Sequence, residues 1–368
     1  MMHAIVDQDP FSQALQQASR IVNPQNTLPV LGGVTLQAQS DGTLVVSSTD
    51  LTTGLSVRIH ADVQTPGKLT VPARTITDLI RRIPPVAIEL TEHDHRLQVR
   101  YRKNRATLQT FGGDTLPEFP PFDGPTLSLP ADTFQRISRE IVFACSHDET
   151  RGVLRGVGLT VDHGRLVLEG TDGSRFSHTV IPVPDGVQDP TTLVIPPKAI
   201  NEAARLEIEA PLQLTLGTTM IRIQHAHATL SSRLLEGAYP DLSHAVPEEY
   251  VADCLIATND FRGALERVQT ITAKNHLSTV RIRHLPGEGL ELSSSSQEVG
   301  NAIELVDCDS HGVELDLLFN PQYLIEALKA MHDDFVIFEL SGPQSSACLR
   351  NAEDSNFFHI VLPMRHLL

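Results

Sequence analysis

Two histidines one residue apart, His225-Ala226-His227, come nearest to a metal site in this chain. On a strand both imidazoles would share a face and could hold one transition ion. No third ligand stands at a supporting spacing, so the pair reads as polar strand residues. His93-Asp94-His95 reads as a polar hairpin turn. Arg151-Gly152-Val153-Leu154-Arg155-Gly156 matches neither a phosphate-cradling loop nor a dinucleotide fingerprint. There is no Gly-x-Ser-x-Gly and no spaced Ser/His/Asp set. The cysteines Cys145, Cys254, Cys308 and Cys348 are scattered without a C-x-x-C pair, which favours reduced, mostly buried thiols over disulfides or zinc. These residue types point away from an enzyme, a cofactor and a metal, and leave binding.

The densest basic run is Arg100-Tyr101-Arg102-Lys103-Asn104-Arg105. It reads as a hairpin on an outer sheet, with contact to DNA or to an acidic partner as the sharper alternative. The chain around it is acidic: 29 Lys and Arg stand against 45 Asp and Glu, a formal charge of −16. That balance excludes coating nucleic acid with the whole surface, so a DNA-facing surface must be a local basic patch. No apolar run approaches the roughly 18 residues of a membrane span. The start, Met1 to Asp9, lacks a basic region followed by an apolar stretch. A cytoplasmic protein without membrane contact is expected.

The elements that position these residues recur. Val71-Pro72-Ala73-Arg74 running into Ile76, Leu79 and Ile80 returns 124 residues later as Ile195-Pro196-Pro197-Lys198 with Ile200, Ala203 and Ala204. The same interval leads to Phe319-Asn320-Pro321-Gln322 with Leu324, Ala327 and Leu328. Each copy is a strand end, a proline at the first helical turn and an i, i+3, i+4 apolar stripe. A fixed long period means one structural unit used three times. Earlier helices carry Phe11, Ala14, Leu15 and Ala18; then Phe134, Ile137 and Ile141; then Phe261, Ala264, Leu265 and Val268. Strands are expected over 31–37, 44–48, 86–90, 97–101 and 106–110, and over 157–161, 166–169, 212–216, 220–224 and 229–234. In the third repeat they are expected over 280–284, 289–293, 335–340, 347–350 and 358–362. Proline-rich linkers at 116–125 and around Tyr239-Pro240-Asp241 divide the chain into domains 1–125, 126–249 and 250–368. The fold class is α+β, each domain carrying two helices on antiparallel sheet.

Many cations sit on the repeated helices: Arg74, Arg81, Arg82, Arg136, Arg139, Lys198, Arg205, Arg262, Arg267 and Lys329. Asp78, Glu140, Glu202, Glu266 and Glu326 share those helices. One reading is solvated helix surface laced with i, i+4 ion pairs. The other is a basic face that holds DNA by its phosphates without reading sequence.

The ordered motifs Thr27-Leu28-Pro29-Val30-Leu31, Thr49-Asp50-Leu51, Val71-Pro72-Ala73-Arg74, Thr171-Asp172-Gly173-Ser174-Arg175, Tyr239-Pro240-Asp241, Phe319-Asn320-Pro321-Gln322-Tyr323 and Leu362-Pro363-Met364-Arg365 resemble those of bacterial DNA polymerase III beta subunits, the sliding clamps, over essentially the whole chain. The resemblance implies a DNA clamp fold and a ring-shaped, head-to-tail homodimer of six similar domains. Helices would line a hole around duplex DNA. Partners would be the polymerase III catalytic subunit, the clamp loader and repair proteins, each binding through a short peptide motif. The resemblance gives that peptide pocket apolar walls of Leu154, Thr171, Pro240, Val361, Leu362, Pro363 and Met364. Gly173 and Arg175 would form its rim, with Asn320, Tyr323, Ser346, Ile360 and Arg365 nearby. DNA-facing cations would be Arg74, Arg81, Arg82, Arg136, Arg139, Lys198, Arg205, Arg262 and Arg267.

Some pocket positions depart from the family pattern: Ser174 for His, Phe176 for Leu, His244-Ala245 for Arg-Val and Leu277 for Phe. On the DNA side Pro197, Gln25 and Ser278 replace Arg, and Asp148 replaces Gln. An alternative is therefore a divergent copy acting as a peptide-binding scaffold or an inhibitor-insensitive clamp.

Overall fold

The structure, a computed structural model, describes residues 2–23, 28–112, 114–183, 191–206, 211–225, 227–272, 278–296 and 298–364. The first repeat runs β1 His3–Asp7, α1 Gln8–Ile21, β2 Gly33–Gln39, β3 Thr43–Thr49, β4 Thr53–His60, β5 Asp62–Thr65, β6 Gly67–Pro72, α2 Ala73–Arg81, β7 Ala87–His93, β8 Arg96–Tyr101 and β9 Asn104–Gln109. The second runs β10 Thr126–Leu129, α3 Thr133–Glu140, β11 Val157–Asp162, β12 Arg165–Thr171, β13 Arg175–Pro182, β14 Thr191–Ile195, α4 Pro197–Ala204, β15 Leu212–Leu216, β16 Met220–His225 and β17 Ala228–Arg233. The third runs β18 Ala252–Ala257, α5 Thr258–Gln269, β19 Val280–Leu285, β20 Gly289–Ser296, β21 Gly300–Val306, β22 Asp309–Gly312, β23 Leu315–Phe319, α6 Pro321–Ala330, β24 Phe335–Leu340, β25 Ala347–Asn351 and β26 Phe357–Val361.

The apolar stripes account for the long helices. α1 buries Phe11, Ala14, Leu15 and Ala18 against β2–β4, and α5 buries Phe261, Ala264, Leu265 and Val268 against the β18–β21 region. α6 starts as its sequence dictates: Pro321 opens the helix and the Asn320 side chain accepts from Gln322 N at 3.0 Å. In the third-repeat core, the Phe338 ring packs 5.4 Å from Phe261 and 6.2 Å from Phe319. No helix among the described residues is long and apolar enough to cross a membrane.

Strand pairing, which is antiparallel throughout the described residues, crosses the repeats. Two compact units result, Met1–Gln135 with Lys198–Leu234 and Arg136–Pro197 with Leu235–Leu368. In the first unit an eight-stranded sheet, β10-β15-β16-β17-β4-β3-β2-β6, joins second-repeat strands to first-repeat strands through β17 and β4. In the second unit a nine-stranded sheet, β14-β11-β12-β13-β26-β25-β24-β18-β22, is joined through β13 and β26. Two sheets have no such joint: β5-β1-β7-β8-β9 in the first unit and β21-β20-β19-β23 in the second.

Several strands fall outside the periodicity-based expectations. Leu31 lies in a 3-10 turn, Pro29–Gly32, ahead of β2, because Pro29 sets up a turn there. β13 is buried on both faces, with Ser177 and Thr179 inward, so it shows no simple alternation. His225 ends β16 and His227 lies in the turn before β17, yet their rings meet edge-on at 6.4 Å. Among the described residues no group of three potential ligands is placed to hold a metal.

Both linkers are straps across the outer face of a sheet, each seating a ring on a glycine. A Cβ on Gly54 would lie 2.3 Å from the Phe119 ring, and one on Gly158 would lie 2.6 Å from the Tyr239 ring. Phe122 fills the same role on Gly217, with the Arg222 guanidinium 4.6 Å over its ring. Tyr239 Oη also donates to Glu169 O at 3.2 Å. Gly158→Ala should therefore lift the second strap and cost about 1–3 kcal/mol by overpacking. Urea unfolding measures this, and a change under about 0.5 kcal/mol, the size of an ordinary surface substitution, would refute the seating argument.

Candidate functional site

The Thr-Asp pair recurs because it builds a turn. Thr171 Oγ1 donates to Arg175 O at 2.6 Å and accepts from Gly173 N at 3.0 Å. Asp172 Oδ1 accepts from Ser174 N and Arg175 N. The first repeat repeats the scheme, with Thr49 bonded to Thr53 O and Leu51 N, and Asp50 Oδ1 accepting from Thr52 N and Thr53 N. The turn's third residue has positive φ, +88° at Gly173 and +77° at Leu51.

Arg175 does not lie at a rim, as the resemblance implied; it is 6% exposed. Nε donates to Asp172 Oδ2 at 2.9 Å, Nη1 pairs with the Glu326 carboxylate, and Nη2 donates to Phe143 O at 2.6 Å. The guanidinium also stacks 4.3 Å over Tyr323. Three acceptors and a ring explain the burial, since a buried charge is stable only when paired. Tyr323 is thereby occupied on one face.

On this same inner face His359 is fully buried, with Nδ1 2.6 Å from Ser177 Oγ and its ring 5.2 Å from Phe143. Burial first, and then the neighbouring Arg175, hold its pKa down to about 3. The folded chain keeps this ring neutral, while the unfolded chain protonates it near 6.5. Its contribution is present above pH 6.5 and is lost as pH falls toward 3. The slope is at most about 1.4 kcal/mol per pH unit, or about 2 kcal/mol between pH 6.5 and 5. In urea unfolding at pH 7 and pH 5, His359→Gln should be less stable at neutral pH but lose less on acidification. An unchanged pH difference would contradict this.

Some of the pocket candidates meet where β13 pairs with β26. Phe176 and Ile360 are opposite in register, and Thr171, Phe176 and Ile360 are buried. Leu362 is 49% exposed beside them. Its N–H donates to Ser174 O at 3.0 Å and Met364 N–H donates to Leu318 O at 2.7 Å, which holds Leu362-Pro363-Met364 between Ser174 and β23. Pro240, His244 and Ala245 are exposed on the strap, and Leu154, Pro363, Met364 and Ser346 are half-buried. Val361, expected in the wall, instead points into the third-repeat core at 1% exposure, because its strand alternates. Asn320 is engaged in capping α6. Leu277, Arg365 and Gln25 lie outside the described residues.

The expected DNA-facing cations divide by partner. Arg136 is not free to face DNA: Nε donates to both oxygens of fully buried Glu140, and Nη2 reaches Thr179 and Asp354. Lys198 Nζ donates to Asp50 Oδ2 at 2.6 Å and to Ile21 O at 2.9 Å. Arg139, Arg205 and Arg267 are exposed but paired with Glu140, Glu202 and Glu304, and Arg81 lies 3.5 Å from Asp78. Among the described residues Arg74, Arg82 and Arg262 have no carboxylate partner.

Two strand edges were not read as a matching pair in the sequence. β21 ends its sheet with Ile303 66% and Leu305 60% exposed, and Val299 beside it is 58% exposed. β9 ends the five-stranded sheet, and the β8–β9 hairpin carries Arg96, Arg100, Arg102, Lys103 and Arg105 with no acidic residue between 96 and 109. From 284 to 328 there is no Lys or Arg, while Glu291, Glu298, Glu304, Asp307 and Asp309 surround β21. That pair of one-signed segments was the available signal.

Three family models match in order: DNA polymerase III beta subunit N-terminal domain over residues 2–120, central domain over 128–241 and C-terminal domain over 243–365. The beta sliding clamp of Pseudomonas putida is 29% identical over 99% of this chain and all of its own length. The crystal structure of the DNA polymerase III beta subunit of Pseudomonas aeruginosa superposes with a TM-score of 0.93 at 28% identity, covering 99% of this chain and 100% of that one. The Bacillus subtilis sliding clamp structure shares the fold with a TM-score of 0.94 at 23% identity, covering 99% of each chain.

Proposed function

We propose, because this chain belongs to the family of DNA polymerase III beta subunits, the sliding clamps, that two copies close head to tail around duplex DNA through β21 of one and β9 of the other. The repeat itself supports the joint. β4 and β13 each follow the second strand after their repeat's first helix, and each pairs with the last strand of the next repeat, β17 or β26. β21 is their equivalent in the third repeat, and β9 is the equivalent of β17 and β26 in the first. Pairing them between copies would extend the four-stranded sheet into a nine-stranded one and remove both open edges. The complementary charge of the two edges is the observation that carries this reading. Domains 1–125, 126–249 and 250–368 would each contribute two helices to the lining.

A clamp works without covalent chemistry, and this chain needs no cofactor for it. Arg74, Arg82 and Arg262 would meet phosphates directly. Arg81, Arg139, Arg205 and Arg267 would act over longer range while keeping their carboxylates. Weak, sequence-independent contact suits sliding. The outer-face site at Phe176, Ile360, Leu362 and Met364 would take the peptide tails of the polymerase catalytic subunit, clamp loader and repair proteins. Phe176 narrows it, and His244 supplies no fixed cation there.

Retention on circular DNA that is lost on linearising the template tests encirclement. A fluorescent peptide ending in a Gln-then-leucine/phenylalanine motif tests the pocket. Micromolar binding that is lost in Met364→Ala is expected, and no binding by a folded dimer would overturn the pocket assignment. Binding without topological retention would favour a peptide scaffold.

A further inference from the structure

The outer-face strip that holds Phe176 and Ile360 continues beyond them. Along β13 the same face carries His178 and Val180, and along β26 it carries Phe358. His178 is registered with Phe358. Their rings stack at 4.7 Å and 17°, and Phe176 meets Phe358 edge-on at 5.9 Å. Past this pair lies a hollow of about 400 Å³ whose walls include His163, Arg165, Val180, Asn356 and Phe358, with no carboxylate among the lining residues. The acids bonded to lining residues are already engaged, Asp162 by His163, Glu169 by His178, and Asp354 by Asn356 and Arg136. Arg165 is exposed, and among the described residues no carboxylate lies within ion-pair range of it.

We infer that this hollow is an extension of the peptide pocket that takes an acidic residue flanking the apolar anchor of a partner peptide, its carboxylate on Arg165. The inference rests on the pocket assignment above. Continuity with that pocket and the unpaired guanidinium on an acidic chain argue for this occupant. Arg165 is registered with Pro182, six residues along β13 from Phe176, about 20 Å of strand. An extended peptide covers that span in about six residues, and the arginine's own length shortens it. The acid therefore stands four to six positions from the anchor.

Three fluorescent peptides test this on the full-length protein: the motif with neutral flanks, with glutamates four to six positions before it, and with glutamates the same distance after it. One acidic peptide should bind roughly two- to fivefold tighter than the neutral one at low salt, as one exposed ion pair allows. Arg165→Glu should abolish that gain and leave the neutral peptide unchanged. Equal affinity of all three, or a gain that survives Arg165→Glu, overturns the extension while the pocket stands. Failure of the neutral peptide to bind folded protein overturns the pocket and the extension together.

Discussion

Ile303→Lys combined with Leu305→Lys is expected to give a folded chain that sediments as a monomer and slips off circular DNA. Both side chains are already more than half exposed in the single chain, so neither contributes much to its folding. Against β9 of a partner they would be covered, and burying a large aliphatic side chain contributes about 1.5–3 kcal/mol. Losing both removes about 3–6 kcal/mol per junction, and with two junctions in a head-to-tail ring about 6–12 kcal/mol, roughly 10⁴- to 10⁹-fold in the dissociation constant. The new lysines would also face the arginines of the β8–β9 hairpin. Analytical ultracentrifugation across a dilution series reads the dimer, and urea unfolding at a concentration where both proteins are monomeric shows whether the fold is intact. A double variant that dimerises like the parent would exclude this edge as the joint. Because the two edges carry opposite charge, the parent dimer should also weaken as salt rises.

That joint shows where sequence reasoning stopped. The period, the helices and most of the outer strands were legible, since each has an apolar stripe or an alternation that burial on one side produces. β21 was not, because Ile303 and Leu305 face outward from an uncovered edge and look like ordinary strand residues until the sheet order is known. β13 was hidden for the opposite reason, with both faces covered and Arg175, Ser177 and Thr179 inside. Arg136 and Arg175 read as surface cations because a sequence does not disclose buried acceptors. Beside the local partners Glu140 and Asp172, each has a second one far off in the chain, Asp354 for Arg136 and Glu326 for Arg175. The motif residues are nonetheless brought together by the fold. Thr171 to Phe176 and Ile360 to Met364 come together, with Phe176 and Ile360 on the outer side and Arg175 and Val361 toward the core.

Arg175→Ala should cost about 3–5 kcal/mol of unfolding free energy, the effect of removing one partner from a buried ionic cluster. Asp172 and Glu326 would lose their shared partner at 18% and 30% side-chain exposure, and Phe143 O would lose a donor. Arg175→Lys should recover less than half of this, since an ammonium keeps the charge but cannot serve three acceptors in one plane or stack on Tyr323. Arg175 also begins β13 opposite Val361, so loosening it should weaken peptide binding at a site it does not touch. Full binding in a variant destabilised by several kcal/mol would separate the cluster from the pocket. The first unit supplies an internal control. There Lys198, from α4, reaches the equivalent aspartate of the Thr-Asp turn, Asp50, and the carbonyl of Ile21 at the end of α1. The device is the same, a cation clasping the turn to the end of a helix, but here the lysine side chain is 39% exposed. Solvent screening limits that pair to about 1 kcal/mol. Lys198→Ala should therefore be mild where Arg175→Ala is severe. Equal losses at the two positions in matched urea titrations would show that burial of the cation is not what sets the strength of the clasp.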